Sequence, residues 1–345
     1  MTISLPLTPS QAAKTLLGQL PAKRMREVLE RRFGLKSGER ETLESIGDSY
    51  RITRERVRQI EADALRRLRT ATTDEYHDFF DPIEKVLADH GSVMSEQHLF
   101  EKVSSGRFHP HLRFLLHTAP RFLFLPETDH LSARWALDTG AAEKGAETLA
   151  RVTTRLGEHG RPVPKEAMYD MLMERDGAGA VGIDAATAEA YLRASPMIRQ
   201  NPYGEYGLVS WATILPRGIR DKAYAVLAKK AAPMHFRDVA GGIDRVGWNT
   251  RTKAHPQTVH NELIKDDRFV LVGRGLYALR EWGYEPGTVR DVLVSLFKES
   301  RRPLARREVV QLAGEKRLVK PQTILLNLQD RTVFRRTDDG KYTLV

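Results

Sequence analysis

The sequence predicts a mainly α protein: a helix-turn-helix unit followed by tandem winged-helix domains, each of three helices and a β-hairpin. Three observations carry this. Residues 41–69, ETLESIGDSYRITRERVRQIEADALRRLR, read as two short helices around a tight turn. The last stretch, 287–345, reads as three amphipathic helices followed by two short strands across Asp339-Gly340, a dipeptide whose tolerance of positive φ favours a hairpin. The same order then recurs upstream with a period of about 60–70 residues, too long for a solenoid, so separate modules in tandem are expected.

Along the chain, residues 1–10 are polar with two prolines and read as a frayed lead-in. Helical spacing begins at Gln11 and continues to Phe33, where Gly34 supplies the left-handed residue that ends a helix. In the second helix of the helix-turn-helix, Thr53 suits the N-cap, and Val57, Ile60, Ala64, Leu65 and Leu68 form the buried stripe. Arg54, Glu55, Arg58 and Gln59 then face outward near its start, where a groove-inserted helix meets base edges. A charged helix face is also what any solvated helix shows, and the basic run Arg66, Arg67, Arg69 is open to that reading. Residues 70–75 read as a polar connector.

This stretch resembles region 4 of the housekeeping class of bacterial RNA polymerase sigma factors. LPAKRMREVLERRFGL from Leu20, the TLESIG helix and TRERVRQIEADALRRLR follow one another in the family's order and spacing. The resemblance implies a sigma region 4-type fold that reads a −35-like promoter element in double-stranded DNA and docks on the flap of the RNA polymerase β subunit. Carried over by position, Arg54, Glu55, Arg58 and Gln59 would touch bases and phosphates, Arg56 backbone phosphate or solvent, and flap docking would fall on about residues 25–33. Arg66 and Arg69 are further phosphate candidates. Only about twenty residues precede this stretch, so the chain is expected to open no promoter by itself.

The modules beyond it are expected at 75–138, 143–213, 216–284 and 287–345, after a first domain at 1–70. In 287–345 the helices fall at 289–298, 305–312 and 320–328, and the strands at 333–336 and 342–345. In 216–284 they fall at 221–230, from 236 and at 258–265, with strands around Gly273-Arg274-Gly275. An insert at 241–255 with Arg245, Arg251 and Lys253 reads as a loop. Residues 143–213 turn at Arg161-Pro162-Val163 and place a wing at 198–209, after a polar connector at 139–145. Residues 75–138 turn at Ser92-Val93-Met94, with Pro110 opening the third helix and strands at 121–125 and 133–137. Trp135, Trp211 and Trp282 each end a wing and are expected to pack on helices. TVHNELIKDDRF, Thr258 to Phe269, followed by VGRGLYALREWG, ending at Gly283, resembles the HARE-HTH winged helix, which implies association with DNA or protein near transcription or DNA modification.

Composition agrees with an anionic partner: the 345 residues carry a net charge of +10 and a pI of about 9.7. There is no cysteine, which removes disulfides and thiolate metal sites. No apolar run of about 18 residues and no export signal are present, so a cytoplasmic, nucleoid-associated protein off the membrane is expected. His109, His111 and His117 lack a completing acid or thiol, and no paired carboxylates, nucleophile elbow or nucleotide fingerprint occurs. The expectation is therefore a DNA-binding transcription regulator with no catalytic residue, cofactor or metal. A recognition subunit of a restriction or defence system, and a flap-binding competitor of sigma factors, are the alternatives.

Overall fold

A computed structural model describes residues 3–173, 183–248 and 252–345. The chain forms two compact units, Met1–Ile198 and Arg199–Val345.

The first unit opens earlier than expected. Thr8 caps helix α1 (Pro9–Gly18) and forms a reciprocal capping box with Gln11, while Ile3 donates its N–H to the Lys102 carbonyl at 3.1 Å. Ile3 and Leu5 pack on the core, so residues 3–8 are held and do not fray. Helix α2 (Lys23–Phe33) ends at Gly34, whose φ of 67° is left-handed. A Cβ there would stand 2.7 Å from the Glu39 backbone, so only glycine fits. Helices α3 (Leu43–Tyr50) and α4 (Arg54–Glu75) follow. Helix α4 runs through the expected connector at 70–75, because no glycine or proline in that stretch stops it.

Next come α5 (His77–Ala88), β1 (Val93–Ser95), α6 (Glu96–Val103), α7 (His109–Thr118), β2 (Leu123–Leu125) and β3 (Arg134–Ala136). The expected turn at Ser92-Val93-Met94 is the strand β1, paired antiparallel with β3 in a sheet of order β1-β3-β2. It became a strand because the wing's inner strand offers it hydrogen bonds. Residues 139–145, expected as a connector, begin the long helix α8 (Thr139–His159), which Asp138 caps by accepting from Ala141 N at 2.7 Å. Then come α9 (Lys165–Met173) and α10 (Ala185–Ala194).

One apolar core runs through most of this unit, from Ala12 and Leu16 through Leu29, Phe33 and Leu68 to Phe80, Phe114, Trp135 and Ala190. Module boundaries legible in the sequence are therefore crossed by packing. Tyr191 of α10 lies against Gly145, which also touches Val93, and Ser132 N donates to the Ala194 carbonyl at 2.9 Å.

The hairpin of β4 (Ile198–Gln200) and β5 (Tyr206–Leu208) follows. Trp211 packs over Gly207, where a Cβ would meet its ring at 2.7 Å. In the second unit, α11 (Ile219–Lys230), β6 (Met234–His235), α12 (Phe236–Val246), α13 (Pro256–Lys265), β7 (Phe269–Gly273) and β8 (Leu276–Leu279) form one winged helix, its sheet ordered β6-β8-β7. Helix α12 takes up the start of the expected 241–255 loop, as far as Val246, so Arg245 is helical, while Arg251 lies outside the described residues. The last winged helix comprises α14 (Val289–Ser300), α15 (Arg306–Lys316), α16 (Pro321–Asn327), β9 (Phe334–Arg336) and β10 (Tyr342–Leu344), with Leu293, Phe297, Val309, Ile324 and Phe334 in its core. No helix among the described residues is long and apolar enough to cross a membrane.

Candidate DNA-binding surface

The helix-turn-helix is built from α3 and α4. Thr42 caps α3 by accepting from Ser45 N at 3.1 Å, and Thr53 caps α4 by accepting from Arg56 N at 3.2 Å. Between them Arg51 takes a left-handed φ of 53° and Ile52 N donates to the Gly47 carbonyl at 3.0 Å. A Cβ on Gly47 would sit 2.7 Å from the Ile52 carbonyl oxygen, so the close approach of α3 to the turn requires glycine. Val28, Ile46 and Val57 are fully buried beneath and set the angle between α2, α3 and α4.

With Val57 inward, Arg54, Glu55, Arg56, Arg58 and Gln59 are all exposed. They are not idle in the free protein. Arg58 donates twice to Glu55, Nε to Oε2 at 2.8 Å and Nη2 to Oε1 at 2.7 Å, and that contact holds the Glu55 carboxyl below the usual carboxylate range. Arg56 donates to Gln59 Oε1 at 3.1 Å. Arg54, at the first helical position, makes no side-chain hydrogen bond or ion pair among the described residues and acts on Glu55 only through its charge. Glu55 thus takes two of the five guanidinium N–H donors of Arg58.

Farther along α4 the basic run is partly compensated. Arg66 and Arg67 both pair with Asp63, and Arg69 donates through Nε to the His117 carbonyl at 3.0 Å. Arg69 thus ties α4 to α7 while remaining exposed.

The residues that sequence reasoning missed lie on α7. As a third helix it is the default groove reader of a winged helix, yet Leu112, Phe114, Leu115 and Leu116 are buried. Phe114 meets Phe33 edge-to-face at 5.5 Å between ring centroids, and His117 sits among Phe33, Phe124 and Trp135. Burial pushes the His117 imidazole down to about 4. Nearby Glu96 accepts from Arg113 Nε at 2.9 Å and from Trp135 Nε1 at 3.2 Å, a buried charge with its partners in place. The apolar spacing of α7 was the available signal, because a reader would carry polar residues there.

The surface expected for flap docking is also largely spent. Val28, Leu29 and Phe33 of α2 are buried, Met25 packs on the core, Glu27 accepts from Tyr50 Oη at 2.6 Å, and Arg31 is paired with Glu41. Of the histidines, His109 lies within 3.3 Å of the Ser104 carbonyl through Nε2, and burial lowers the pKa of His111.

Comparison with known proteins follows this geometry. The family model for sigma-70 region 4 matches residues 16–70. The model for HARE-HTH, a helix-turn-helix domain whose description names ASXL and restriction endonuclease proteins, matches 219–282. RNA polymerase sigma factor SigA of Nostoc sp. is 59% identical over 46 residues, 13% of this chain and 12% of that protein. The factor of the same name from Clostridium acetobutylicum is 56% identical over 46 residues, again 13% and 12%. That of a Bacillus sp. is 48% identical over 71 residues, 18% of this chain and 19% of the relative. The chain thus spans less than a fifth of the length of these relatives, and it joins a stretch similar to sigma-70 region 4 to one that matches the HARE-HTH domain.

Proposed function

We propose that this protein is a sequence-specific DNA-binding regulator of transcription that recognises −35-like promoter DNA through α4. The observation that carries the reading is the exposed set Arg54, Glu55, Arg58 and Gln59 at the capped start of α4, within a stretch similar to sigma-70 region 4. The organisation proposed with it is a sigma-like domain at 1–70 followed by winged-helix modules at 75–138, 143–213, 216–284 and 287–345. The module at 75–138 acts as a brace: its third helix holds α2 and α4 and reads no groove. Contact with RNA polymerase is part of the proposal, but it falls on the polar edge of α2, since its apolar face is already covered.

The test is a binding series on the sequence recovered by selection from random duplexes. Arg58→Ala is expected to cost ~1–3 kcal/mol at one base position and to relax preference there. Unchanged preference would remove α4 as the reader. Arg66→Ala is expected to weaken all sequences alike and to lower the salt slope by about one.

The HARE-HTH match favours a second reading, a DNA-recognition subunit of a restriction or defence system. Genome-wide occupancy separates the two: peaks at promoters with a −35-like sequence support regulation, and peaks spread independently of promoters support defence.

A further inference from the structure

Residues 287–345 hold thirteen Lys and Arg against seven Asp and Glu, so this module alone supplies +6 of the net +10. The charge is not where a winged helix would use it by default. Helix α16, the third helix, has the sequence PQTILLN with no charged side chain, and Leu326 on it is 66% exposed.

The positive charge collects instead where the α14–α15 turn meets the hairpin. Leu304 and Tyr342 exchange two backbone hydrogen bonds of 2.9 Å, which lays the turn alongside β10 as an extra edge. Tyr342 in turn faces Arg336 across the hairpin, and Thr343 faces Arg335. That single bridge sets the start of α15, with Arg306 and Arg307 in its first turn, just past the contact with β10, while Arg336 Nε donates to the Gly340 carbonyl at 3.4 Å in the hairpin turn. Arg306, Arg307, Arg335 and Arg336 are all exposed.

The nearby acids are mostly engaged. Glu308 accepts from Arg302 at 3.0 Å and from Ala305 N at 2.8 Å, and Asp339 pairs with Lys341 at 2.9 Å. Arg306, Arg307 and Arg335 have no side-chain partner among the described residues, and Asp338 is the acid left beside them. Two strand spacings of about 4.8 Å separate Leu304, which leads into the start of α15, from β9. That is the scale of a DNA groove, about 6 Å for the minor and 12 Å for the major, with long guanidinium side chains at the start of α15 on one side of β10 and on β9 on the other.

We propose that this ridge is a sequence-independent phosphate clamp for duplex DNA, with Arg306 and Arg307 on one side and Arg335 on the other, and with α16 outside the groove. It deepens the DNA-binding reading above and rests on it. It supplies affinity and leaves the choice of sequence to α4.

The test uses the full chain with the selected duplex, an unrelated duplex and a single-stranded RNA, each titrated with salt. A triple variant, Arg306→Ala with Arg307→Ala and Arg335→Ala, is expected to weaken both duplexes by the same factor. Its log–log salt slope is expected to fall by about 0.9 per lost phosphate contact. The corresponding triple lysine variant retains most of the slope, which separates lost charge from lost folding. An unchanged slope on both duplexes, a loss confined to one sequence, or a loss seen on single-stranded RNA alone overturns the clamp. If Arg58→Ala leaves the ratio between the duplexes unchanged while the triple variant lowers the slope, the reading by α4 fails and the clamp stands. If Arg58→Ala alters the ratio and the triple variant changes nothing, the reverse holds.

Discussion

The ion pair between Arg58 and Glu55 joins two of the side chains proposed to meet DNA. Both groups are exposed, so in water the pair contributes little to stability. Under the proposed function its effect is on binding, because the carboxylate neutralises Arg58 and takes two of its five N–H donors. Glu55→Gln removes a charge that repels phosphate and releases Arg58. It is expected to tighten binding to all duplexes and narrow the gap between selected and unrelated sequences, measured as the ratio of the two dissociation constants. A wider gap would show that Glu55 itself selects a base. Buried histidines give a second prediction at this scale. His98 is 1% exposed with neither ring nitrogen hydrogen-bonded, and burial holds it, like His117, down to about 4. Both are neutral in the fold and take up a proton more readily when unfolded. Their contribution is therefore complete above about pH 6.5 and is lost as the pH falls towards 4, by about 1.4 kcal/mol per pH unit for each. Urea unfolding of Met1–Ile198 monitored in the full chain at pH 7 and 5 checks this, and equal midpoints would contradict it.

At the scale of elements, the caps and turns of α3 and α4 follow from residue type, and they were legible. Thr53 before an amphipathic run and Gly34 after one act through their own backbone neighbours. Gly47 was not singled out, because its role depends on Ile52 passing within 2.7 Å of an absent Cβ, a contact made only when α3 and the turn are closed. Gly47→Ala is expected to open that turn, destabilise the unit by about 1–3 kcal/mol and weaken site-specific binding more than non-specific binding. Circular dichroism melting and duplex titration measure the two effects. Strands β1 and β6 were missed for a related reason. Two or three residues carry no usable periodicity, and their hydrogen bonds come from β3 and β8, distant along the chain.

At the scale of the molecule, α7 joins what the repeat pattern divides. Its burial against α2 and α4 makes the module at 75–138 part of the foundation of the helix-turn-helix. Phe114→Ala removes a fully buried ring at the contact with Phe33. It is expected to cost about 3–5 kcal/mol. Affinity for the selected duplex should fall with it as α4 loses its brace. Unfolding in urea and hydrogen exchange along α4 report both, and a loss of stability confined to residues 77–136 would show that the modules are independent.

Residue order was enough to establish the mainly α fold, the helix-turn-helix with its outward Arg54, Glu55, Arg58 and Gln59, and the final hairpin of β9 and β10. These depend on periodicity, capping and turn chemistry, which act over a few residues. Packing in three dimensions settled the rest: which third helix is free and which is covered, that Arg69 reaches His117, and that Leu304 and Arg335 flank the same strand. An apolar stripe states that a face is buried but not what buries it, and the partner here lies dozens of residues away along the chain.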